Sequence, residues 1–304
     1  MRVSTPMMMG NLAARIAANA ESLYRLQQQI ASGKRMLAPS DDPTGSAHAA
    51  QMRSSLSQIA QYADNVERAT EELNTAEGLL GDLATAIRSA RDIALQAANE
   101  ALSADSRAAL AGELEDLMRR MMEIGNAESN GYHVFAGYQT LSVPFAENPA
   151  GVPPIIYNGD DGKQTIEVGR NASIVVNLPG SAVFNIGGAA SPGLDDLFTM
   201  LTKLRDYILA GDSGGISQQI TDIDAHLQRV LVQRAEVGGK VSQLDMCKTR
   251  LQNVDLTVRE ALSKVEDVDL AQAVVELQAQ ENMYQATAAV VAQVSRLQLV
   301  DFLL

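Results

Sequence analysis

Gly211-Asp212-Ser213-Gly214-Gly215 is the string in this chain best suited to covalent chemistry, because a serine set among glycines can present its hydroxyl as a nucleophile. Such a serine needs a base. His48, His133 and His226 stand in no triad-like relation to it, and the string falls between two amphipathic segments where a polar Gly-rich connection is expected. It therefore reads as a linker, with a serine hydrolase using Ser213 as a rival. The histidines also lack metal-ligand spacing such as H-x-x-x-H, which leaves them as structural or surface side chains. Asp41-Asp42, Asp160-Asp161 and Asp195-Asp196 are placed for turns and helix starts, and Asp160-Asp161-Gly162 has neither the repeating ligands nor the closing Glu of a calcium loop. Asn171-Ala172-Ser173 is a glycosylation sequon, too common a pattern to carry weight by itself. Ser32-Gly33-Lys34-Arg35 lacks the upstream glycine and following hydroxyl of a phosphate loop. No catalytic residue, metal or cofactor is expected.

The elements are more informative than the candidate chemistry. Ile216, Ile220, Ile223, Leu227, Val230, Arg234, Val237, Val241, Leu244, Lys248, Leu251, Asp255, Val258, Leu262 and Val265 follow alternating four- and three-residue steps, a heptad stripe broken by three charges. The first thirty residues repeat the spacing with Met9, Leu12, Ile16, Asn19, Leu23, Leu26 and Ile30, where one buried Asn fixes register at some cost in stability. A further periodic segment spans Met52 to Ile87. Ser103 and Asp105 open another helix, which Asn126 and the Asn130-Gly131 pair end. From Tyr132 to Ile186 the residues become strand formers. Ile155-Ile156-Tyr157 and Thr165-Ile166-Glu167-Val168 flank Asn158-Gly159 and Asp161-Gly162, which predicts a hairpin, and Ser173 to Leu178 predicts another strand. Pro153-Pro154 and Pro192 punctuate this region, and helical patterning resumes over Leu194 to Leu209.

The expected fold is mainly α, a long coiled-coil-like helical rod made by pairing the N- and C-terminal segments around a small inserted β-rich domain. Three divisions follow: 1–43 with 265–304 as a terminal hairpin, 44–131 with 192–264 as a helical middle, and 132–191 as the β-rich insert. The 304 residues include no Trp and only 4% aromatics, so no large aromatic core is expected. A net charge of -13, with no basic cluster, argues against nucleic acid, and no apolar run reaches the roughly 18 residues of a membrane span. Cys247 is the single cysteine, which rules out an internal disulfide and fits a free helical thiol. The start has no hydrophobic stretch of the secretory type, so the chain is expected to stay inside or leave by another route.

Residues 1–38 carry a net charge of +4 and residues 265–304 a net charge of -5, so an antiparallel hairpin would set Lys34 and Arg35 near Glu266, Asp267 and Asp269. The last helix has two apolar stripes. Leu270, Val274, Leu277, Tyr284 and Val291 form one, and Met283, Val290, Val294, Leu297 and Leu304 the other, and a single hairpin partner covers only one. An assembly interface is therefore expected from Leu12, Ile16 and Leu23, from the first stripe, and from Val290, Val294, Leu297 and Phe302. The apolar end Val300-Asp301-Phe302-Leu303-Leu304 agrees with assembly through the ends.

Four places together resemble a known family. Met1-Arg2-Val3-Ser4-Thr5 with Met7-Met8, and Ser32-Gly33-Lys34-Arg35 followed by Pro39-Ser40-Asp41-Asp42-Pro43, resemble the N-terminal region of the flagellar hook-associated protein 3 family. Asn130-Gly131-Tyr132-His133-Val134-Phe135-Ala136-Gly137 is similar to the segment leading into that family's β domain. Val265 to Ala271, Tyr284-Gln285-Ala286 and Leu297 to Leu303 match its tail. The resemblance implies a homo-oligomeric ring at the hook–filament junction of the bacterial flagellum. It further implies type III export without a cleaved signal, and terminal segments that order into an inner tube on assembly. Implied partners are the first hook-associated protein, flagellin and an export chaperone. Rivals are flagellin itself, against which the chain's start and its 39–43 segment speak, and a type III secreted coiled-coil protein.

Overall fold

Long runs of good helix formers without internal proline give long helices here. The structure, a computed structural model, describes residues 5–148, 154–186 and 193–303, with side chains except at 5, 6, 8 and 294–303. Met1 to Ser4, Pro153, Pro192 and Leu304, on which some expectations rest, lie outside the described residues. The chain opens with α1 (Thr5–Ser32), α2 (Pro43–Ala97) and α3 (Ala104–Gly125). Short strands follow: β1 (Glu128–Ser129), β2 (Tyr132–His133), β3 (Phe145–Glu147), β4 (Ile155–Tyr157), β5 (Thr165–Gly169) and β6 (Ala172–Val175). The one-turn α4 (Gly180–Phe184) leads to α5 (Leu197–Ala210), α6 (Ser213–Glu266) and α7 (Leu270–Leu303). The fold is mainly helical.

Side-chain oxygens next to the first turns explain where the helices begin. Ser103 Oγ accepts from Ser106 N at 3.2 Å to start α3, and Asp196 Oδ1 accepts from Phe198 N and Thr199 N at 3.1 and 2.9 Å to start α5. Asp42, Asp212 and Asp269 do the same for α2, α6 and α7. Two of the three acidic pairs are thus helix starts, as expected. Gly211, at φ 71°, closes α5 in the left-handed region that a side chain would resist.

The chain divides into two compact units, one of Met1–Gln58 with Asn253–Leu304 and one of Ile59–Gln252. In the second, α2 and α6 run antiparallel, tied by Arg91 to Asp224, Arg234 to Glu77 and Lys248 to Glu67. The predicted α6 stripe forms the seam, but its two positions differ. Ile216, Ile223, Val230, Val237, Leu244 and Leu251 are buried, while Ile220, Leu227 and Val241 are half-buried. On α2, Val66, Ala69, Leu73, Ala76, Leu80, Leu83, Ile87 and Ala90 are buried.

The strands form three separate antiparallel pairs, β1 with β2, β3 with β4 and β5 with β6. The predicted hairpin of 155–157 with 165–168 is not formed, since Ile156 pairs with Ala146 and Ile166 with Ile174. Neither Gly159 nor Gly162 has the positive φ of a tight primed turn. They serve close approach instead: an added Cβ would lie 2.4 Å from the Tyr157 ring or 2.1 Å from the Tyr138 ring. Asp160 Oδ1 fixes this segment by accepting from Tyr138 N and Gly162 N at 2.7 and 2.8 Å. The tight turn is at Asn130-Gly131, with φ 53° and 81° between the paired Ser129 and Tyr132. The expectation that no large aromatic core exists needs qualifying. Phe135, Phe145, Phe184 and Phe198 are fully buried and pack with Tyr157, with ring centroids 4.6 to 6.2 Å apart.

Candidate assembly surface

Within the first unit, α1 and α7 lie antiparallel, each apolar along the face it turns to the other. Met9, Leu12, Ile16, Leu23, Leu26 and Ile30 are half-buried, and so are Leu277, Tyr284 and Val291 on α7, with Ala273 buried. Asn19 is half-buried in this seam. Its Nδ2 donates to Thr287 Oγ1 at 3.2 Å, and Gln280 Nε2 donates to its carbonyl at 3.5 Å, so a one-turn slip would lose both bonds.

A clasp closes the hairpin where the turns meet. Lys34 Nζ donates to Asp267 Oδ1 at 2.7 Å, Arg35 N donates to the Glu266 carbonyl at 2.7 Å, and Val268 N donates to the Gly33 carbonyl at 3.0 Å. Glu266 is buried between Arg53 and Lys34. The Asp267 hydrogen bond holds the Lys34 ammonium above its ordinary range, and the Lys34 bond holds the Asp267 carboxyl below its own. Lys34 and Arg35 thus lie against Glu266 and Asp267 as the charges of the two ends predict, while Asp269 caps α7.

The predicted interface residues separate. Leu12, Ile16, Leu23, Leu277, Tyr284 and Val291 sit in the seam within one chain. Leu270, Val274 and Val290 are exposed, at 55%, 49% and 50%. Val294, Leu297 and Phe302 fall among the side chains outside the description. Leu270 and Val274 thus do not share the half-buried face of Leu277, because the seam runs through Ala273, Leu277, Gln280 and Tyr284. The exposed apolar line includes Val275, at 69%, with Ala279, Met283, Ala286 and Val290. Sequence reasoning passed over Val275 and Tyr24 of α1; the signal for Val275 was its four-residue spacing to Ala279 and Met283, diluted by alanines.

The candidate nucleophile has a different setting. Ser213 is the first residue of α6, and its hydroxyl donates to Glu100 Oε1 at 3.2 Å, while Asp212 accepts from the next two glycine N–H groups. His226 is buried, its ring nitrogens on the Asp195 carbonyl at 3.1 Å and Arg229 Nη1 at 3.4 Å. His133 Nδ1 lies 2.8 Å from the Asn126 carbonyl. Among the described residues, no group of His, Cys, Asp and Glu is arranged to hold a metal, and no helix is long and apolar enough to cross a membrane.

A chain whose end returns to pair with its start, leaving a second apolar line along the returning helix, is a discontinuous helical protein with an uncovered face. Comparison makes this specific. The model of the bacterial flagellin N-terminal helical region matches residues 3–140, and that of the C-terminal helical region matches residues 220–303. The chain belongs to the bacterial flagellin family. Flagellar hook-associated protein 3 of Salmonella typhimurium is 29% identical over 287 residues, covering 88% of this chain and 89% of that protein. A flagellar hook-associated protein of Vibrio parahaemolyticus superposes with a TM-score of 0.68 at 21% identity, covering 75% of this chain and 100% of that one. The flagellar junction protein of Legionella pneumophila gives 0.61 at 17% identity, covering 73% and 100%.

Proposed function

We infer that this chain is a structural protein of the bacterial flagellum, the junction between the hook-side hook-associated protein and the flagellin filament, assembling through its terminal helices. The observation that carries the assembly role is the exposed line Val275, Met283 and Val290 on a helix whose other face already lies against α1. An apolar line of this length beside a covered seam calls for a further partner. The similarity to hook-associated protein 3 over 88% of the chain supports the junction in preference to the filament itself. In this reading 1–43 with 265–304 forms the inner tube, 44–131 with 192–264 the middle layer and 132–191 the outer face. The subunit forms a homo-oligomeric ring, meets the first hook-associated protein on one side and flagellin on the other, and uses an export chaperone. It works outside the cell, leaving through the flagellar type III channel without a cleaved signal.

Deletion of the gene, followed by electron microscopy of the cells and assay of flagellin in the medium, tests this. Bare hooks with shed flagellin are expected. Absent filaments without shed flagellin would make the chain the filament subunit, and normal flagella would remove both readings. Limited proteolysis of the isolated protein that left 1–40 and 265–304 intact would favour a secreted coiled-coil protein.

A further inference from the structure

The apolar stripe of α6 is interrupted within the second unit by Arg234, paired with Glu77, and by Lys248, paired with Glu67, and only the Arg234 level also has glycines in the middle of both helices. Arg234 takes the seam position between Val230 and Val237, and its Nε donates to Glu77 Oε1 at 3.1 Å, the side chains 34% and 39% exposed. The backbone is weakest at the same level. Gly78 and Gly81 lie inside α2, and Gly238 and Gly239 inside α6. An added methyl at Gly78, Gly238 or Gly239 would meet nothing within 4 Å, and at Gly81 only the Arg234 guanidinium, at 3.6 Å. Packing thus does not call for glycine at the three open positions, and each one weakens its helix relative to alanine. The pairing of Glu77 with Arg234 and of Glu67 with Lys248 brings the four glycines within about two helical turns of one another. A groove of about 500 Å³ lined by Glu67, Glu71, Val241 and Asp245 runs from Gly238 toward the Glu67–Lys248 pair.

We propose that this level is a hinge built into the α2–α6 pair. The apolar layers Leu83, Ile87, Ile216 and Ile223 on one side, and Val66, Leu73, Leu244 and Leu251 on the other, move as blocks while the glycine level bends. Ion pair and glycines have complementary parts: the glycines lower the resistance of the backbone, and the partly exposed Arg234–Glu77 pair accommodates a change of geometry beside the buried Ala76, Leu80 and Val237.

Amide hydrogen exchange on the purified full chain reads the hinge directly. Amides over 74–82 and 234–242 should exchange faster than those of the flanking layers, and the triple variant Gly78→Ala, Gly238→Ala, Gly239→Ala should slow them about 100-fold, the product of three alanine-for-glycine gains in helix stability. Gly112→Ala on α3, where an added methyl also meets nothing within 4 Å, should leave that exchange unchanged. Exchange at this level no faster than in the flanks, or unmoved by the triple variant, would overturn the hinge. A second arm rests on the proposed junction role: cells carrying the triple variant should keep their filaments and swim more slowly. Slowed exchange with unchanged swimming would refute the hinge as a working device, and normal flagella in the deletion strain would refute the junction role while leaving the exchange result to decide the hinge.

Discussion

His226 shows how one residue ties burial to stability. Burial first, and the neighbouring Arg229 second, lower its pKa from 6.5 to about 4, although its bond to the Asp195 carbonyl acts the other way. The unfolded chain therefore binds a proton between those values and the folded chain does not. Stability is full above about pH 6.5 and falls as pH drops toward 4, by about 3 kcal/mol in all. Urea unfolding at pH 7, 5.5 and 4.5 should show this decline, and His226→Gln should flatten it; an identical decline in both proteins would mean that other groups are responsible. Gly125 makes a second residue-scale case, since an added Cβ would stand 2.7 Å from the Phe145 ring and 3.2 Å from Phe184. Gly125→Ala should cost about 1–3 kcal/mol by overpacking, seen as a lower denaturation midpoint with an unchanged slope. Of these two sites the sequence marks neither, because the groups around them come from positions 145, 184 and 195. What it does mark is chemistry that acts on nearby backbone, as at Ser103, Asp42 and Asp196, where a short side chain reaches an N–H two or three residues on.

Elements were legible wherever a period could build up over many turns. The α6 stripe from Ile216 to Leu251 lies in the seam as its spacing demands, and Asn19 makes the cross-hairpin bond that a polar seam residue should. On α2 the spacing marks Val66, Leu73, Leu80, Leu83 and Ile87, all buried, but not the alanines between them. Its buried line uses Ala69, Ala76 and Ala90, and alanine is equally at home on either face of a helix. Strand pairing was misread because Asn158-Gly159 has the composition of a hairpin turn, whereas its glycine is needed for contact with Tyr157. Local composition fixes which residues are permitted at a turn, and only the distant ring decides which use is made of them. The seam itself can be tested. Leu244 is fully buried between the Val237 and Leu251 layers, so Leu244→Asp should destabilise the second unit by about 3–5 kcal/mol, read as a shift of the urea midpoint. A change below about 0.5 kcal/mol would show that α2 and α6 do not hold each other through this line.

At the scale of the molecule, the question is which face of α7 serves the chain itself and which is left for a neighbour. Sequence spacing put Leu277, Tyr284 and Val291 in one stripe with Leu270 and Val274, because heptad counting tolerates an error of one position in helix phase. The half-buried seam shows the phase: Ala273, Leu277, Tyr284, Thr287 and Val291 face α1, and Val275, Met283 and Val290 face away. The two classes should behave oppositely on gaining a charge. Leu277→Glu or Val291→Glu places a carboxylate in the α1–α7 seam, where partial burial without a partner costs about 1–3 kcal/mol, and should loosen the terminal hairpin, measured as lost helicity and faster cleavage near residue 20. Met283→Glu with Val290→Glu places the charge on the exposed line and should leave the isolated chain's helicity and melting unchanged. In cells that same double variant should yield bare hooks and shed flagellin, since a charged pair there must be desolvated against the neighbouring subunit. If both variants melt the hairpin, α1 alone accounts for all of the apolar surface of α7; if the double variant assembles normally, the contact between subunits lies elsewhere. With bare hooks and shed flagellin instead, the adjacent Val290 and Val291 would separate assembly from folding, a single position in helix phase deciding which process a substitution disturbs.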